Sequence, residues 1–239
     1  MFFFKRKSLP SFPFHLLKTD CHSHILPGID DGSPDLETSV LLLKGLIELG
    51  YEKFTGTPHV MQDIWKNNNA SIESAYQKLH QHLESIGITN NVRAAAEYLL
   101  DENFQLLLER KEPLRTIQDN WVLIEISFIQ PPLQLKDIIF EMQMQGYQPV
   151  FAHPERYHYY FNKKSELQEI RSAGCLLQSN LLSFSGYYGP DVLRSAEWLA
   201  SMNMVDLLGT DIHHERHLKG LRELRQTKAL GLVLDAIVS

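Results

Sequence analysis

Two cysteines in 239 residues, Cys21 and Cys175, are too few for a disulfide framework, so the chain is not a small cross-linked secreted domain. Positive charge is also in short supply: 23 Lys and Arg face 29 Asp and Glu, a formal net charge of −6, with no basic stripe. That excludes an electrostatic nucleic-acid surface, which needs concentrated Lys and Arg. No stretch approaches the ~20 apolar residues needed to span a bilayer. The opening MFFFKRKSLPSFPF puts its aromatic residues before its basic ones and breaks at Pro10 and Pro13, unlike the uninterrupted apolar region of a signal peptide. Linkers, low-complexity intervals and internal repeats are missing too. What remains is a cytoplasmic chain with a tail over residues 1–18, where Phe2 to Lys7 could touch a membrane surface or partner, and one domain over 19–239.

What is present begins with residues 19–32, TDCHSHILPGIDDG. On an extended segment His22 and His24 share a face, because side chains two apart point the same way, and that is a metal-ligand spacing. Pro27-Gly28 and Asp31-Gly32 end the strand, and Pro34 predicts a helix start. Up to three carboxylates, Asp20, Asp30 and Asp31, lie close to these imidazoles.

Along the chain, helical periodicity over 36–49 stops at Gly50, and a strand over 53–57 runs into Thr57-Pro58-His59. A helix over 71–86 precedes a third strand, 91–97, whose last residue is Glu97; a short helix over 103–109 follows. Residues 121–127, WVLIEIS, form a continuous apolar run broken only by Glu125, the pattern of a strand buried on both faces. A bare carboxylate there is costly, so Glu125 requires a partner such as a metal. Further helices are predicted over 135–145, 163–173, 190–202 and 217–230, with strands over 149–153, 175–179 and 204–211. Seven strand–helix alternations indicate an α/β fold, either a barrel or a doubly wound sheet. The barrel is preferred because candidate catalytic groups fall at the C-terminal ends of several strands.

Those strand-end groups are His22, His24, Asp31, His59, Glu97, Glu125, His153, Asp211 and His213. Five imidazoles and four carboxylates exceed the needs of one ion and suit a multinuclear centre with a bridging carboxylate. His80 and His82 fall on a solvated helix face, and His214 and His217 are left without an assigned place. A cysteine nucleophile paired with an arginine six residues on does not fit, since those positions are Pro27 and Leu181.

Taken in order, HxHxxPGxDDG, TPH, Glu97, LIEIS, AHPERY and GTDIHH resemble the motifs of the polymerase-and-histidinol-phosphatase (PHP) superfamily. More narrowly, they are similar to its bacterial protein-tyrosine-phosphatase branch, which acts on tyrosine kinases controlling capsule and exopolysaccharide synthesis. The resemblance runs from about Asp20 to the C-terminus and implies a distorted (βα)7 TIM-like barrel, the PHP fold. It also implies two or three divalent transition-metal ions, manganese foremost, with iron, zinc or cobalt as alternatives. One ion would be held by His22, His24, Glu97 and Asp211, a second by Glu97, Glu125 and His153, and a third by Asp31, His59 and His213. Arg156 and Arg216 are its phosphate-binding arginines. The implied activity is hydrolysis of phosphotyrosine monoesters on a protein, a tyrosine autokinase, by metal-activated water. Alternatives are a small-molecule phosphatase, such as one for histidinol phosphate, and a non-catalytic metal-containing module that binds a kinase. A phosphotyrosine site would need an aromatic mouth, for which Tyr98, Phe128, Tyr157 and Phe184 are the candidates.

Overall fold

Parallel strands pair in this protein only after the chain has crossed back through a helix, and that connection sets the architecture. The computed structural model describes residues 9–238. Its elements run β1 (Thr19–Ser23), α1 (Leu36–Leu49), β2 (Lys53–Gly56), β3 (His59–Val60), α2 (Asn69–Ser85), β4 (Asn91–Ala94), β5 (Glu97–Leu99), α3 (Glu102–Glu109) and β6 (Trp121–Glu125). The second half continues with α4 (Leu135–Met144), β7 (Gln148–Ala152), α5 (Lys164–Ser172), β8 (Leu176–Asn180), α6 (Pro190–Ser201), β9 (Leu207–Gly209), α7 (Glu215–Glu223) and α8 (Lys228–Val238).

Two all-parallel sheets result, β1-β2-β4 and β3-β5-β6-β7-β8-β9. They share two interrupted strands. Proline cannot donate to a ladder, so Pro58 breaks the second predicted strand into β2 and β3. The third predicted strand divides likewise, and Glu97 opens β5 where the sequence suggested the end of a strand. Counting each interrupted strand once gives seven around a distorted barrel. Its seam lies between β9 and β1, where a single parallel bridge, Ser23 to Ile212, replaces a continuous ladder. Backbone bonds from His24 N to Ile212 O (2.9 Å) and from Asp211 N to His22 O (2.8 Å) hold the two edges together.

Several expected boundaries shift for local reasons. Asp35, and not Pro34, caps α1: its side chain accepts the Thr38 N–H, while Gly50 ends the helix at φ 109°, a conformation open to glycine. The helix expected over 217–230 is two helices, α7 and α8, and the apolar segment after Gly231 belongs to α8. The segment before β1, read from the sequence as a tail, is built into the core in its described part. There Phe12 and Phe14 are buried and meet edge to face at 4.9 Å, and Phe12 N bonds Leu224 O. The suggested membrane contact of Phe2 to Lys7 falls outside the described residues. β6 meets expectation, with Val122, Leu123 and Ile124 inaccessible to solvent.

Candidate metal centre

Each strand of a parallel barrel delivers its last side chains to one end, and here the nine candidate ligands converge there. Register places His59 beside Glu97 and Leu99 beside Glu125 across β3, β5 and β6. Glu97, fully buried, sits at the junction: its Oε1 lies 2.9 Å from His153 Nε2, and its Oε2 lies 3.2, 3.3 and 3.2 Å from nitrogens of His22, His24 and His59. Asp211 Oδ1 faces His22 and His24 at 3.4 and 3.3 Å, while Asp31 faces His59 and His213 at 3.4 and 3.5 Å. The closest groupings able to hold an ion are His24-Asp31-His59-His213, His22-His24-Asp211, His22-Glu97-His153 and His59-Glu97-Glu125. His24 thus stands between two groups, and Glu125 and His153 fall on different sides of Glu97 instead of together.

The chemistry of this donor set fits cations. Nε2 of His22 and Nε2 of His24 lie 3.3 Å apart and both point at the same carboxylates, an arrangement that needs a positive charge between them. His153 Nδ1 is buried without a hydrogen-bond partner. Burial alone would neutralise these groups, yet mutual attraction prevails. Glu97 is pushed up by burial and pulled well below the carboxylate range by His22 and His59, and Asp211 likewise by His22 and His213. Burial lowers His59, but Glu125 and Glu97 carry it to about 9, and Asp30 carries His24 well above its ordinary value. Protons therefore occupy positions that divalent ions would take, so binding an ion would release them.

Outer contacts orient the ligands. Asp211, accepting as a carboxylate, takes a bond from Asn180 Nδ2 (2.6 Å); Asn180 Oδ1 accepts from Gln178 Nε2 (3.0 Å), and Gln178 Oε1 accepts from His22 Nδ1 (2.7 Å). Each step fixes the next, which leaves His22 Nε2 directed into the cluster. Asp30 does the same for His24 through a 2.8 Å contact to Nδ1. Gly32 is needed in this turn because a Cβ there would collide with the carbonyl oxygen of His24. His153 and Asp211 both adopt positive φ, 37° and 50°, uncommon for residues with a side chain and concentrated where function tolerates strain. Asp20 lies below the centre, bonded through both oxygens to Thr210 (3.0 and 2.5 Å), and burial raises it to about 6.

Of the two predicted arginines, one reaches the site. Arg156 Nη1 donates to Asp211 Oδ2 at 2.8 Å, and its guanidinium lies over Tyr188 (4.5 Å) and Phe128 (5.3 Å). Arg216 corrects the expectation: it is exposed near the start of α7 and lines a groove with Glu37, Lys44 and Glu48. Its position follows from α7 itself, which begins at Glu215 and turns that residue and Arg216 outward. Six of the nine cluster residues and Arg156 line a cavity of about 360 Å³, with His22, His24 and Glu97 buried behind it. Of the four proposed mouth aromatics only Phe128 lines this cavity; Tyr98, Tyr157 and Phe184 are core residues.

Sequence reasoning missed Gln178, Asn180, Asn67 and Trp65, and it named Asp30 beside the imidazoles without its role in orienting His24. The alternating polar pair Gln178 and Asn180 in an otherwise buried strand was the available signal for the first two. Asn67 donates to the carbonyls of Ile29 and His59, both at 2.8 Å, from within a polar loop that offers no such hint.

A family model described as capsular polysaccharide synthesis, CpsB/CapC, matches residues 18–226. The tyrosine-protein phosphatase YwqE of Bacillus subtilis (strain 168) is 27% identical over 195 residues, 82% of this chain and 77% of that protein. The tyrosine-protein phosphatase CpsB of Streptococcus pneumoniae is 25% identical over 201 residues, 82% of each. Among solved structures, a chain from the work on YwqE of Bacillus subtilis and CpsB of Streptococcus pneumoniae, described there as unique metal-dependent tyrosine phosphatases, matches with a TM-score of 0.78. It is 24% identical, with 92% of this chain and 85% of that one covered. The likeness carries the fold, an α/β barrel of the TIM-like kind with its parallel strands ringed by helices.

Proposed function

The chain belongs to the capsular polysaccharide synthesis CpsB/CapC family, and from that membership we propose that it is a metal-dependent tyrosine-protein phosphatase hydrolysing phosphotyrosine monoesters. Its substrate is a phosphoprotein, and we infer a tyrosine autokinase that controls capsular or exopolysaccharide synthesis, met in the cytoplasm. Residues 19–239 form the catalytic domain and 1–18 its extension. The observation that carries the reading is Glu97, a buried carboxylate in contact with four imidazoles directly behind a cavity that Arg156 overlooks.

The family resemblance assigns His22, His24, Glu97 and Asp211 to one ion, Glu97, Glu125 and His153 to a second, and Asp31, His59 and His213 to a third; the geometry brings the same nine residues together but groups Glu125 with His59 and His153 with His22 about Glu97. Bound there, two or three divalent ions, manganese foremost with iron, zinc or cobalt as alternatives, would acidify the attacking water and neutralise phosphoryl charge. Arg156 binds the phosphate: a guanidinium is a planar fork with parallel N–H donors, and Asp211 and the rings of Tyr188 and Phe128 fix its plane. Asn180 holds the second lone-pair direction of Asp211 Oδ2, so the arginine is aimed by a carboxylate that is itself immobilised. Apolar residues beside the charged groups lower the local polarity and strengthen these contacts.

Metal content and turnover of a phosphotyrosine peptide, measured on one preparation before and after chelation, test this. Two or three ions per chain, with activity lost on chelation and restored by a divalent metal, is the expected result. Activity that survives complete metal removal would overturn it. Turnover of histidinol phosphate without turnover of the peptide would move the chain to the small-molecule phosphatases, and bound metal without any turnover would leave a binding module.

A further inference from the structure

The cavity over the metal centre joins two chemistries. Its floor is charged, and the rest of its lining is largely apolar, drawn from two separate segments: Met61, Ile64 and Trp65 after β3, and Ile126 and Phe128 after β6, with Leu99 of β5. Ile64 and Phe128 are 69% and 41% exposed, so these segments reach the lip and are not closed into the core.

Both segments are tethered. In the first, the loop carrying Ile64 and Trp65 is folded on itself, with Trp65 O accepting from Met61 N (2.9 Å) and Asn67 N (2.6 Å). Asn67 Nδ2 anchors that loop to the carbonyls of Ile29 and His59, and Asp101 Oδ2 accepts Gln62 N at 2.7 Å. In the second, Tyr159 OH donates to Ser127 O (2.8 Å), Ser127 Oγ accepts Ile129 N (3.1 Å), and Phe128 packs on Tyr157 at 4.8 Å and parallel to His153 at 5.9 Å. A fixed apolar lining above a charged floor suits a rigid planar group that carries a phosphate at its end.

We propose that Ile64, Trp65 and Phe128 form a slot for the aryl ring of the substrate and thereby determine specificity for aryl over alkyl phosphomonoesters, with Asn67 and Tyr159 as positioning residues. This rests on the phosphatase reading above. A phenyl ring spaces the phosphorus away from the peptide backbone, so the backbone stays at the lip while the phosphate reaches the floor. A serine ester would have to draw its backbone into the cavity.

The test compares ligands that share the charged end and differ in the ring. Calorimetric titration of the metal-loaded protein with phenylphosphonate and with inorganic phosphate avoids the unequal leaving groups of aryl and alkyl esters. Trp65→Ala and Phe128→Ala are expected to weaken phenylphosphonate on the order of tenfold and leave phosphate within twofold, consistent with what aromatic contacts contribute. Asn67→Ala and Tyr159→Phe should show the same ring-selective loss at smaller size, with the phosphotyrosine-peptide effect carried by KM and not kcat. Equal weakening of both ligands would mean that these residues only support the floor, and no change in either would mean that the ring lies elsewhere; each overturns the slot. A wild-type protein that binds phenylphosphonate selectively but fails to turn over the peptide would instead sink the phosphatase reading and leave the slot standing.

Discussion

The chain contains the letters His-x-Glu-Arg twice, as His153-Pro154-Glu155-Arg156 after β7 and as His213-His214-Glu215-Arg216 after β9. In both places a site residue at positive φ releases the chain from its strand: His153 in the first and Asp211 in the second. From there they diverge. Pro154 opens a single 3-10 turn, Pro154–Arg156, that buries Glu155 against Asn180 N and Ser183 Oγ and folds Arg156 back onto Asp211. In the second, His214 is an N-cap whose Nδ1 accepts His217 N, so Glu215 and Arg216 enter a nine-residue helix and face outward. Identical side chains at identical spacing from a candidate ligand thus end in a cleft or on a surface, and the backbone between them decides which.

The sharpest way to break this contrast is to remove one histidine from each copy. His153→Ala should reduce turnover of a phosphotyrosine peptide to background with loss of bound metal, whereas His214→Ala should leave metal content unchanged; similar metal loss in both would erase the distinction. Next in size is the arginine pair. Arg156→Lys keeps the charge but not two parallel donors, so kcat/KM should fall on the order of tenfold or more, from charged hydrogen bonds worth ~1.5–3 kcal/mol. Arg216→Lys should stay within twofold, and an equal loss there would return Arg216 to the phosphate.

A smaller effect distinguishes the two copies by pH. His217, on the first turns of α7, is lowered to about 3 by burial and then by the neighbouring His214, and its Nδ1 accepts the His213 N–H, which requires the neutral ring. The unfolded chain takes up a proton near 6.5 that the folded one refuses, so this stability is complete above 6.5 and is lost as pH falls toward 3. Between pH 7 and 5 in metal-free protein the loss is up to about 2 kcal/mol. Melting curves of wild type and His217→Gln at the two pH values measure it, and parallel slopes would show that His217 does not titrate this way. Least of all, His214→Ala should cost about 1 kcal/mol of stability as a lost N-cap, readable in denaturant midpoint.

Much of this was legible beforehand. Periodicity and glycine stops located the helices up to α6 to within a few residues, because Gly50, Gly87 and Gly146 all adopt positive φ at helix ends, whereas α7 and α8 were read as one. Strand ends pointed to the nine cluster residues, since in a parallel barrel the chemistry gathers there. What resisted reading was whatever depends on the path between fixed points. Arg216 has the right type and spacing, but its direction is set by a helix start that a histidine cap determines. The split of the second strand at Pro58 follows a rule applicable to the sequence, whereas the assignment of Gln178 and Asn180 needed β8 to lie beside both β7 and β9. Tyr98, Tyr157 and Phe184 were mistaken for a mouth because an aromatic after a strand end packs inward as readily as it lines a cleft.

The seam between β9 and β1 has a consequence for the protein's topology. Asp20 and Thr210, 190 positions apart, are joined by hydrogen bonds where no ladder runs. His22 and His24 stand on one lip of that seam and Asp211 and His213 beyond the other, so an ion shared between them would be a clasp on a belt that encircles nearly the whole chain. Closing so long a loop through coordination removes conformational freedom from the unfolded chain, as a covalent cross-link would, but reversibly. Such an ion would add to the backbone bonds and the Asp20–Thr210 contact that already hold the seam, and its scarcity would then loosen the fold along the same line at which it would stop the chemistry.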